Sequence, residues 1–159
     1  MEVQIQHLLL RNSMNKRGEV ATDLICEKEL NIRFSDTDAM GIVWHGNYIK
    51  YMEDGREAWG NEYGLSYLDI YNKKLFTPIV ETQLSHKRTL KFGDTAVVKT
   101  RYINTPAAKL VYQYEIYRKS DMKMVLKGRT VQVFTDYNEN LMLNTPDCVL
   151  EWKRKKGLL

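Results

Sequence analysis

Two aspartates and a histidine lie within ten residues, in the stretch D-T-D-A-M-G-I-V-W-H-G-N-Y at positions 36–48. The most helix-like part of the chain follows directly. The first turn of a helix has unpaired N–H groups and a partial positive charge, which can stabilise an oxyanion. A carboxylate placed opposite can attack an acyl carbonyl or activate water. The alternative is a polar turn, because Asp side chains often hydrogen-bond nearby backbone.

A thioester is the acyl compound that such a simple site suits best. Its thiol leaving group has a pKa near ~8.5, so it departs without a dedicated acid. The sequence has no GxSxG, Walker A, GxGxxG or HExxH motif, and its three histidines leave few places for a Ser-His-Asp triad. We expect no metal, because D-x-D is short and common and no second histidine shares the segment.

The residues after the loop predict one long helix. Its apolar positions recur at helical spacing: Ile49, Met52, Trp59 and Tyr63, widened by Tyr48, Tyr51, Gly55 and Ala58. Asn47 is the predicted N-cap and Gly64 the predicted C-cap. Gly55 and Gly60 each weaken a helix by about 1 kcal/mol relative to Ala. We therefore expect another backbone to pack closely against them.

Strand patterns flank this helix. Residues 28–34 predict a first strand, and four stretches at 77–92, 94–105, 109–119 and 124–137 alternate β-branched and aromatic residues. One helix on a five-stranded antiparallel sheet is an α+β architecture. We assign residues 1–25 to an N-terminal extension and 26–159 to one domain. The open sheet edges favour pairing with a second copy.

Composition restricts the class of protein. The 159 residues are 43% hydrophobic and 28% charged with a net charge of +4, as in ordinary globular proteins. No apolar run is long enough to span a bilayer, and we see no signal peptide, so we expect a cytoplasmic protein. Cys26 and Cys148 are expected to be free thiols. No nucleic-acid-binding motif is present, and the basic run at 153–156 is expected to be solvated or to attract phosphates.

The segment 36–59 resembles the signature of hotdog-fold acyl-CoA thioesterases, of the 4-hydroxybenzoyl-CoA thioesterase type and its Tol–Pal-associated relatives. Their pattern is D-x-D-x-x-G-x-V-x-(H or Y)-x-N-Y, followed by Y-x-E-x-x-R near an aromatic residue. The matching residues are Asp36, Asp38, Gly41, Val43, His45, Asn47, Tyr48, Tyr51, Glu53, Arg56 and Trp59. The element order over 28–137 agrees with a hotdog, in which the sheet wraps a long helix.

The resemblance implies roles for these residues. Asp38 is implied to be the catalytic nucleophile or general base, whereas Asp36 stabilises the turn. The backbone N–H of His45 is implied to polarise the thioester carbonyl, and its side chain to place substrate or water. The implied substrate-binding residues are Gly41, Val43, Trp44, Asn47 and Tyr48, with Gly41 allowing close backbone approach.

The resemblance also implies partners. Family sites form between two protomers, so we expect a homodimer or homotetramer. Coenzyme A enters as part of the acyl-CoA substrate, and no resident cofactor is expected. The candidates for holding its phosphates are Arg88, Lys91, Arg101, Arg118 and Arg129, and the alternative for each is a solvated strand face.

The chain departs from the family pattern at two places within the domain, and the N-terminal extension and the tail after residue 138 match no part of that pattern. Phe34 stands where some relatives have a tyrosine, and residues 85–94 replace an aromatic-proline stretch that borders the substrate. Three other functions stay open: an acyl-carrier-protein thioesterase, a non-catalytic acyl-CoA-binding hotdog, and a dehydratase or hydratase that uses Glu53 on the helix.

Overall fold

A five-stranded antiparallel sheet forms the frame of the protein. The computed structural model describes residues 18–159. The strands of the sheet are β1 (Val20–Asn31), β3 (Ile79–His86), β4 (Thr95–Asn104), β5 (Lys109–Arg118) and β6 (Lys123–Val133), in the order β1-β4-β5-β6-β3. Two short strands, β2 (Leu75–Phe76) and β7 (Thr135–Asp136), pair with each other. Among the described residues, β1 and β3 are therefore the edge strands of the sheet.

The long helix α1 (Asn47–Tyr63) lies on one face of this sheet, against β1, β4 and β5. Its apolar face supplies Trp59, which is fully buried and stacks on Tyr102 of β4 at a centroid distance of 5.5 Å. Burying aromatic side chains is a major source of core stability. The arrangement confirms the predicted α+β class, with the helix covered by the sheet.

Two shorter helices complete the described chain. The helix α2 (Tyr67–Tyr71) follows α1, and α3 (Asp147–Lys155) lies near the C-terminus. Neither helix was predicted from the sequence. Trp152 of α3 packs on Trp59 at 5.8 Å, so α3 extends the core beyond the wrapped helix. None of the helices in residues 18–159 has the length and apolar character needed to cross a bilayer.

The first strand begins earlier than predicted. Residues 20–25 were assigned to the extension, but they belong to β1 and hence to the sheet. The register shifts between Ala21 and Ile25, and this irregularity on an edge strand interrupts the alternation that sequence reasoning relies on. The rest of the predicted extension, residues 1–17, lies outside the described residues.

The sequence predicted that another backbone packs closely against Gly55 and Gly60 of α1. The structure confirms this for Gly60, whereas a side chain packs against Gly55. A Cβ on Gly60 would lie 2.8 Å from the Ser66 Cα, which confirms a close backbone approach. A Cβ on Gly55 would lie 2.6 Å from Cγ1 of Val98, so a side chain of β4 occupies the space there.

Gly64 is the C-cap with φ of +74°, as predicted. Ile49 was placed on the buried face but is 41% exposed.

Candidate active site

The D-x-D segment forms one arm of a tight two-stranded turn. Thr37 bridges to Val43, the Asp38 N–H donates to the Ile42 carbonyl at 2.8 Å, and the Trp44 N–H donates to the Asp36 carbonyl at 3.0 Å. Residues 36–38 are thereby held beside residues 42–44, which lead directly into α1. The turn brings Asp38 and the start of the helix into one small structural unit.

Gly41 closes this turn with a φ of +76°, a conformation that favours glycine. Within residues 18–159, no heavy atom lies within 4 Å of the position that a Cβ on Gly41 would take. The left-handed backbone conformation of the turn is therefore sufficient to account for a glycine at this position.

The two aspartates of the motif have different environments. The Asp36 side chain is buried, and its Oδ2 accepts a hydrogen bond from the Arg33 N–H at 2.9 Å. The guanidinium of Arg33 lies 3.4 Å from Oδ1. Burial favours the neutral acid, but the hydrogen bonds and charge of Arg33 outweigh it and lower the pKa of Asp36. Asp36 is thus engaged in holding the 3-10 turn at Phe34–Asp36.

Asp38 is more open. Its side chain is half-buried, and Oδ1 accepts one hydrogen bond, from the Met40 N–H at 2.8 Å. No lysine or arginine of residues 18–159 forms an ion pair with it. Of the two carboxylates, Asp38 is the one whose second oxygen is left for a ligand or a water molecule.

The start of α1 has no side-chain cap, which corrects the prediction for Asn47. The N-cap is Gly46, and Asn47 is the first helical residue. The Asn47 side chain instead donates from Nδ2 to the Asp36 carbonyl at 2.8 Å, because its neighbour in space is the D-x-D arm. In the described chain the N–H groups of His45 and Gly46 donate no hydrogen bond. These donors are available to an incoming acceptor.

Trp44 and His45 lie together at the surface beside this helix start. Their rings are 5.0 Å apart, and both side chains are exposed. The Trp44 ring covers Gly46 so closely that a Cβ there would lie 2.1 Å from a ring carbon. A side chain at position 46 would therefore displace the Trp44 ring, a constraint that sequence reasoning missed.

The predicted substrate-binding residues fall into two groups. Val43, Asn47 and Tyr48 are buried, with exposures of 4%, 8% and 3%, and they hold the loop rather than present a surface. The Val43 N–H donates to the Leu90 carbonyl at 2.8 Å, and the Tyr48 hydroxyl accepts from the Leu90 N–H at 3.3 Å. Burial raises the pKa of Tyr48. Gly41 and Trp44 are the exposed members of the set.

His86 is a further residue near the site that the sequence did not identify. Its ring lies 5.2 Å from the Tyr48 ring in an edge-to-face arrangement. His86 ends β3, 38 residues after Tyr48 in the sequence, so only the fold brings the two together. The available signal was that His86 is one of three histidines and lies in the segment that departs from the family pattern.

Large apolar side chains surround the loop at the surface. Phe34 and Phe92 pack edge to face at 5.9 Å, yet they are 76% and 62% exposed. Met40 is 77% and Trp44 49% exposed. Several large exposed apolar side chains in one region are typical of a binding interface.

A cavity of about 520 Å³ lies along the second half of α1. Its lining includes Glu53, Arg56, Tyr112 and Gln132, but none of the residues of the D-x-D loop. The Arg56 guanidinium donates to the Tyr114 hydroxyl at 3.1 Å and lies 3.9 Å from Glu53. Glu53 and Arg56 therefore lie in a recess beside the helix that is separate from the D-x-D loop.

The basic residues considered for phosphate binding are mostly engaged elsewhere. Arg118 pairs with Asp121 at 2.6 Å, Arg129 pairs with Glu19 at 2.8 Å, and Arg101 donates to the Thr22 carbonyl at 2.6 Å. Arg88 and Lys91 are exposed.

The C-terminal basic run is partly structural. Lys153 is 2% exposed, its Nζ donates to the Thr105 carbonyl at 2.7 Å, and burial lowers its pKa.

The chain is similar in sequence to known thioesterases. Residues 32–153 match the Thioesterase-like superfamily. The Bacillus subtilis protein named "Putative acyl-CoA thioesterase YneP" is 41% identical over 112 residues, which are 70% of this chain and 80% of that protein.

Solved structures show the same fold at lower sequence identity. The DHNA-CoA thioesterase of Staphylococcus aureus superposes with a TM-score of 0.74 at 22% identity, covering 84% of this chain and 92% of its own. The 4-hydroxybenzoyl-CoA thioesterase of Pseudomonas gives a TM-score of 0.71 at 21% identity, with coverages of 80% and 98%. The chain therefore belongs to the thioesterase-like superfamily and has the hotdog fold.

Proposed function

We propose that this thioester hydrolase cleaves acyl-CoA thioesters to the free acid and coenzyme A, with Asp38 as the catalytic carboxylate. The observation that carries the proposal is the contrast between the two aspartates beside an uncapped helix start. Asp36 is held by Arg33, whereas Asp38 accepts only the Met40 N–H among described residues. The 41% identical relative is named for acyl-CoA substrates, which supports the substrate class.

The helix start stabilises the charge that develops on the thioester oxygen. The free N–H of His45 is the donor that we assign to this oxygen, with the adjacent Gly46 N–H as a second donor. The positive end of the helix dipole favours the same negative charge. The exposed side chains of His45 and Trp44 then place the acyl group or the attacking water.

Asp38 acts by one of two routes. As a general base it takes a proton from water, and the resulting hydroxide adds to the carbonyl. The tetrahedral oxyanion then collapses, the C–S bond breaks, and the proton passes to the departing thiolate. As a nucleophile it forms a mixed anhydride with loss of the thiolate, and water hydrolyses the anhydride.

We also propose that a second copy of the chain covers the exposed apolar residues around the loop. Among the described residues β3 is an edge strand, whose Ile79 is 37% and Val80 60% exposed, and Phe34, Met40 and Phe92 are exposed in the loop region. Unpaired edges and exposed apolar residues favour association. Light scattering is expected to give a dimer or tetramer, and a Val80→Lys variant is expected to shift it to monomer with loss of activity. A fully active monomeric wild type would contradict this.

A cytoplasmic location is consistent with the cysteines. Cys26 and Cys148 are both free, and burial, with the nearby Glu62, raises the pKa of Cys26 to about 12. A thiol with a raised pKa is a poor nucleophile, as expected for a structural cysteine in a reducing compartment. Fractionation of cells that express the full chain tests this location.

The central experiment is thiol release from a panel of short, long and aromatic acyl-CoAs by wild type and Asp38→Asn. We expect wild type to turn over at least one member and the variant to lose about two orders of magnitude or more in kcat. The matched control is Asp54→Asn, which changes an exposed aspartate on α1. The control is expected to retain wild-type activity.

The alternatives give different results in the same assay. Tight binding of acyl-CoA without thiol release would indicate a non-catalytic binding protein. Turnover of carrier-protein thioesters but not of acyl-CoAs would indicate an acyl-carrier-protein thioesterase. Equal activity of Asp38→Asn and wild type would show that another group is the base or nucleophile. Thermal unfolding of each variant separates loss of chemistry from loss of folding.

A further inference from the structure

One backbone oxygen, the carbonyl of Asp36, holds the start of α1 in place. It accepts two hydrogen bonds, from the Trp44 N–H at 3.0 Å and from Nδ2 of Asn47 at 2.8 Å. These two donors flank His45 and Gly46 in the chain, whose N–H groups donate no hydrogen bond within residues 18–159. The free donors at the helix start are therefore fixed relative to Asp36.

The Asp36 side chain connects the same point to the end of β1. Asp36 is 6% exposed, and its Oδ2 accepts from the N–H of Arg33, two residues after β1, at 2.9 Å. The Arg33 guanidinium lies 3.4 Å from Oδ1. Asp38 follows Asp36 by two residues, and its N–H donates to the Ile42 carbonyl at 2.8 Å. The position of the Asp38 carboxylate therefore depends on how Asp36 is held.

Tyr51 approaches Asp36 from the helix. It lies one turn after Asn47 on α1, so the two side chains are on the same face of the helix. Tyr51 is 6% exposed, and its hydroxyl makes no hydrogen bond of ordinary geometry among the described residues. Burial, and then the negative charge of Asp36, raise the pKa of Tyr51. The Asp36 carboxylate thus has Arg33 on the side of β1 and the Tyr51 hydroxyl on the side of α1.

We propose, on the basis of the hydrolysis described above, that Asp36 is a positioning residue of the reaction, supported by Tyr51. It fixes the distance between the Asp38 carboxylate and the free donors of α1, because its chain neighbours include the first and its carbonyl holds the second. Both groups must meet at one thioester carbonyl, and a misplacement of about 1 Å can cost about a hundredfold in rate. Asp36 acts through these groups and not on the substrate, because its own side chain is buried and engaged.

The test removes each partner of this contact in turn. Asp36→Ala is expected to lower kcat about tenfold to a hundredfold with KM within about threefold, and Asp36→Asn, which keeps the size and one acceptor, to recover part of the loss. Tyr51→Phe is expected to lower kcat about threefold to tenfold. The matched control is Tyr63→Phe, which removes a hydroxyl bonded to Ile25 at the other end of α1. Its kcat and KM are expected to equal those of wild type at a temperature where all variants are folded.

Double variants show whether Asp36 acts through Asp38. In the Asp38→Asn background, Asp36→Ala is expected to reduce the residual kcat by a much smaller factor than in wild type, because residues that act as a unit are non-additive. Equal factors in the two backgrounds would overturn the proposal, since they indicate a general effect on folding or binding. A wild-type kcat in folded Asp36→Ala would overturn it as well.

Amide hydrogen exchange keeps this test separate from the proposed hydrolysis. Asp36→Ala is expected to speed the exchange of the Asp38 and Trp44 N–H groups about tenfold more than that of the amides of β5, the middle strand, which report global unfolding. Exchange that changes equally in the loop and in β5 would overturn the positioning role, whether or not a thioester is hydrolysed. Absence of turnover in wild type would overturn the proposed function, and the exchange rates would still show whether Asp36 holds the loop.

Discussion

The two ends of α1 are built in opposite ways. At the C-terminal end, aromatic side chains bond to backbone: Trp59 Nε1 donates to the Leu24 carbonyl at 2.9 Å, and the Tyr63 hydroxyl donates to the Ile25 carbonyl at 2.7 Å. Trp152 Nε1 donates to the Tyr63 carbonyl at 2.7 Å. At the N-terminal end, Gly46 provides no side-chain cap.

The difference separates stability from function along one helix. A side-chain cap at the start of a helix typically stabilises the protein by about 1 kcal/mol, and α1 lacks this contribution. The N–H groups of His45 and Gly46 are thereby left without an acceptor among the described residues. The aromatic end supplies the packing that keeps the helix in place while its other end stays open to a ligand.

The largest expected effect breaks the packed end. We expect Trp59→Ala to lower the free energy of unfolding by about 3–5 kcal/mol, because Trp59 is fully buried and contacts several aromatic rings. Trp59→Phe is a milder variant in case the first fails to fold. The control is Trp44→Ala at the open end, where we expect a change within about 0.5 kcal/mol. Urea denaturation measures the free energy of unfolding of both variants. Equal losses of this free energy would show that the two ends of α1 do not differ in their contribution to stability.

The next effect concerns activity at the open end. Gly46→Ala is expected to reduce kcat/KM by about tenfold to a hundredfold, because the new methyl group displaces the Trp44 ring and with it His45. The double variant with Trp44→Ala removes the overlap, so its loss is expected to be smaller than the product of the two single losses. Additive losses would argue against a clash between residue 46 and the Trp44 ring.

The matching glycine at the other end is expected to affect stability only. Gly64→Ala places a Cβ on a residue with φ of +74°, at a cost of about 1–2 kcal/mol. We expect its kcat and KM to equal those of wild type at a temperature where both are folded. A fall in kcat/KM comparable to that of Gly46→Ala would mean that the two ends are coupled.

The smallest expected effect is a pH dependence at the D-x-D turn. The pKa of Asp36 is lowered in the folded protein, so its carboxylate stabilises the fold above the usual Asp pKa of about 3.9. This contribution is lost as the pH falls through the folded-state pKa. We expect Asp36→Asn to lower the free energy of unfolding by about 1 kcal/mol at neutral pH. The difference in this free energy between the variant and wild type is expected to become smaller in acid. A difference in the free energy of unfolding that becomes larger on acidification would contradict the assignment of Asp36 to the turn.

Local patterns predicted the helix and its end. The spacing of Met52 and Trp59 indicated the buried face, and Gly64 was identified as the C-cap, because both depend on residues within a few positions in sequence. Asn47 and Ile49 were misassigned, because the D-x-D arm attracts the Asn47 amide and the loop leaves Ile49 exposed. The helix α3 was missed, because few apolar residues interrupt its charges and its burial depends on distant Trp59.

The sequence by itself determined the α+β element order and the D-x-D-to-helix segment, because the periodicity and turn chemistry of these parts are local. Only the tertiary structure distinguished Asp36, held by Arg33, from Asp38, whose side chain has one backbone N–H as its partner among the described residues. It alone placed the His86 ring against Tyr48 and Lys91 beside Ile42 of the loop. The physical reason is that environments and contacts between distant residues are created by folding and leave no periodic trace in the chain.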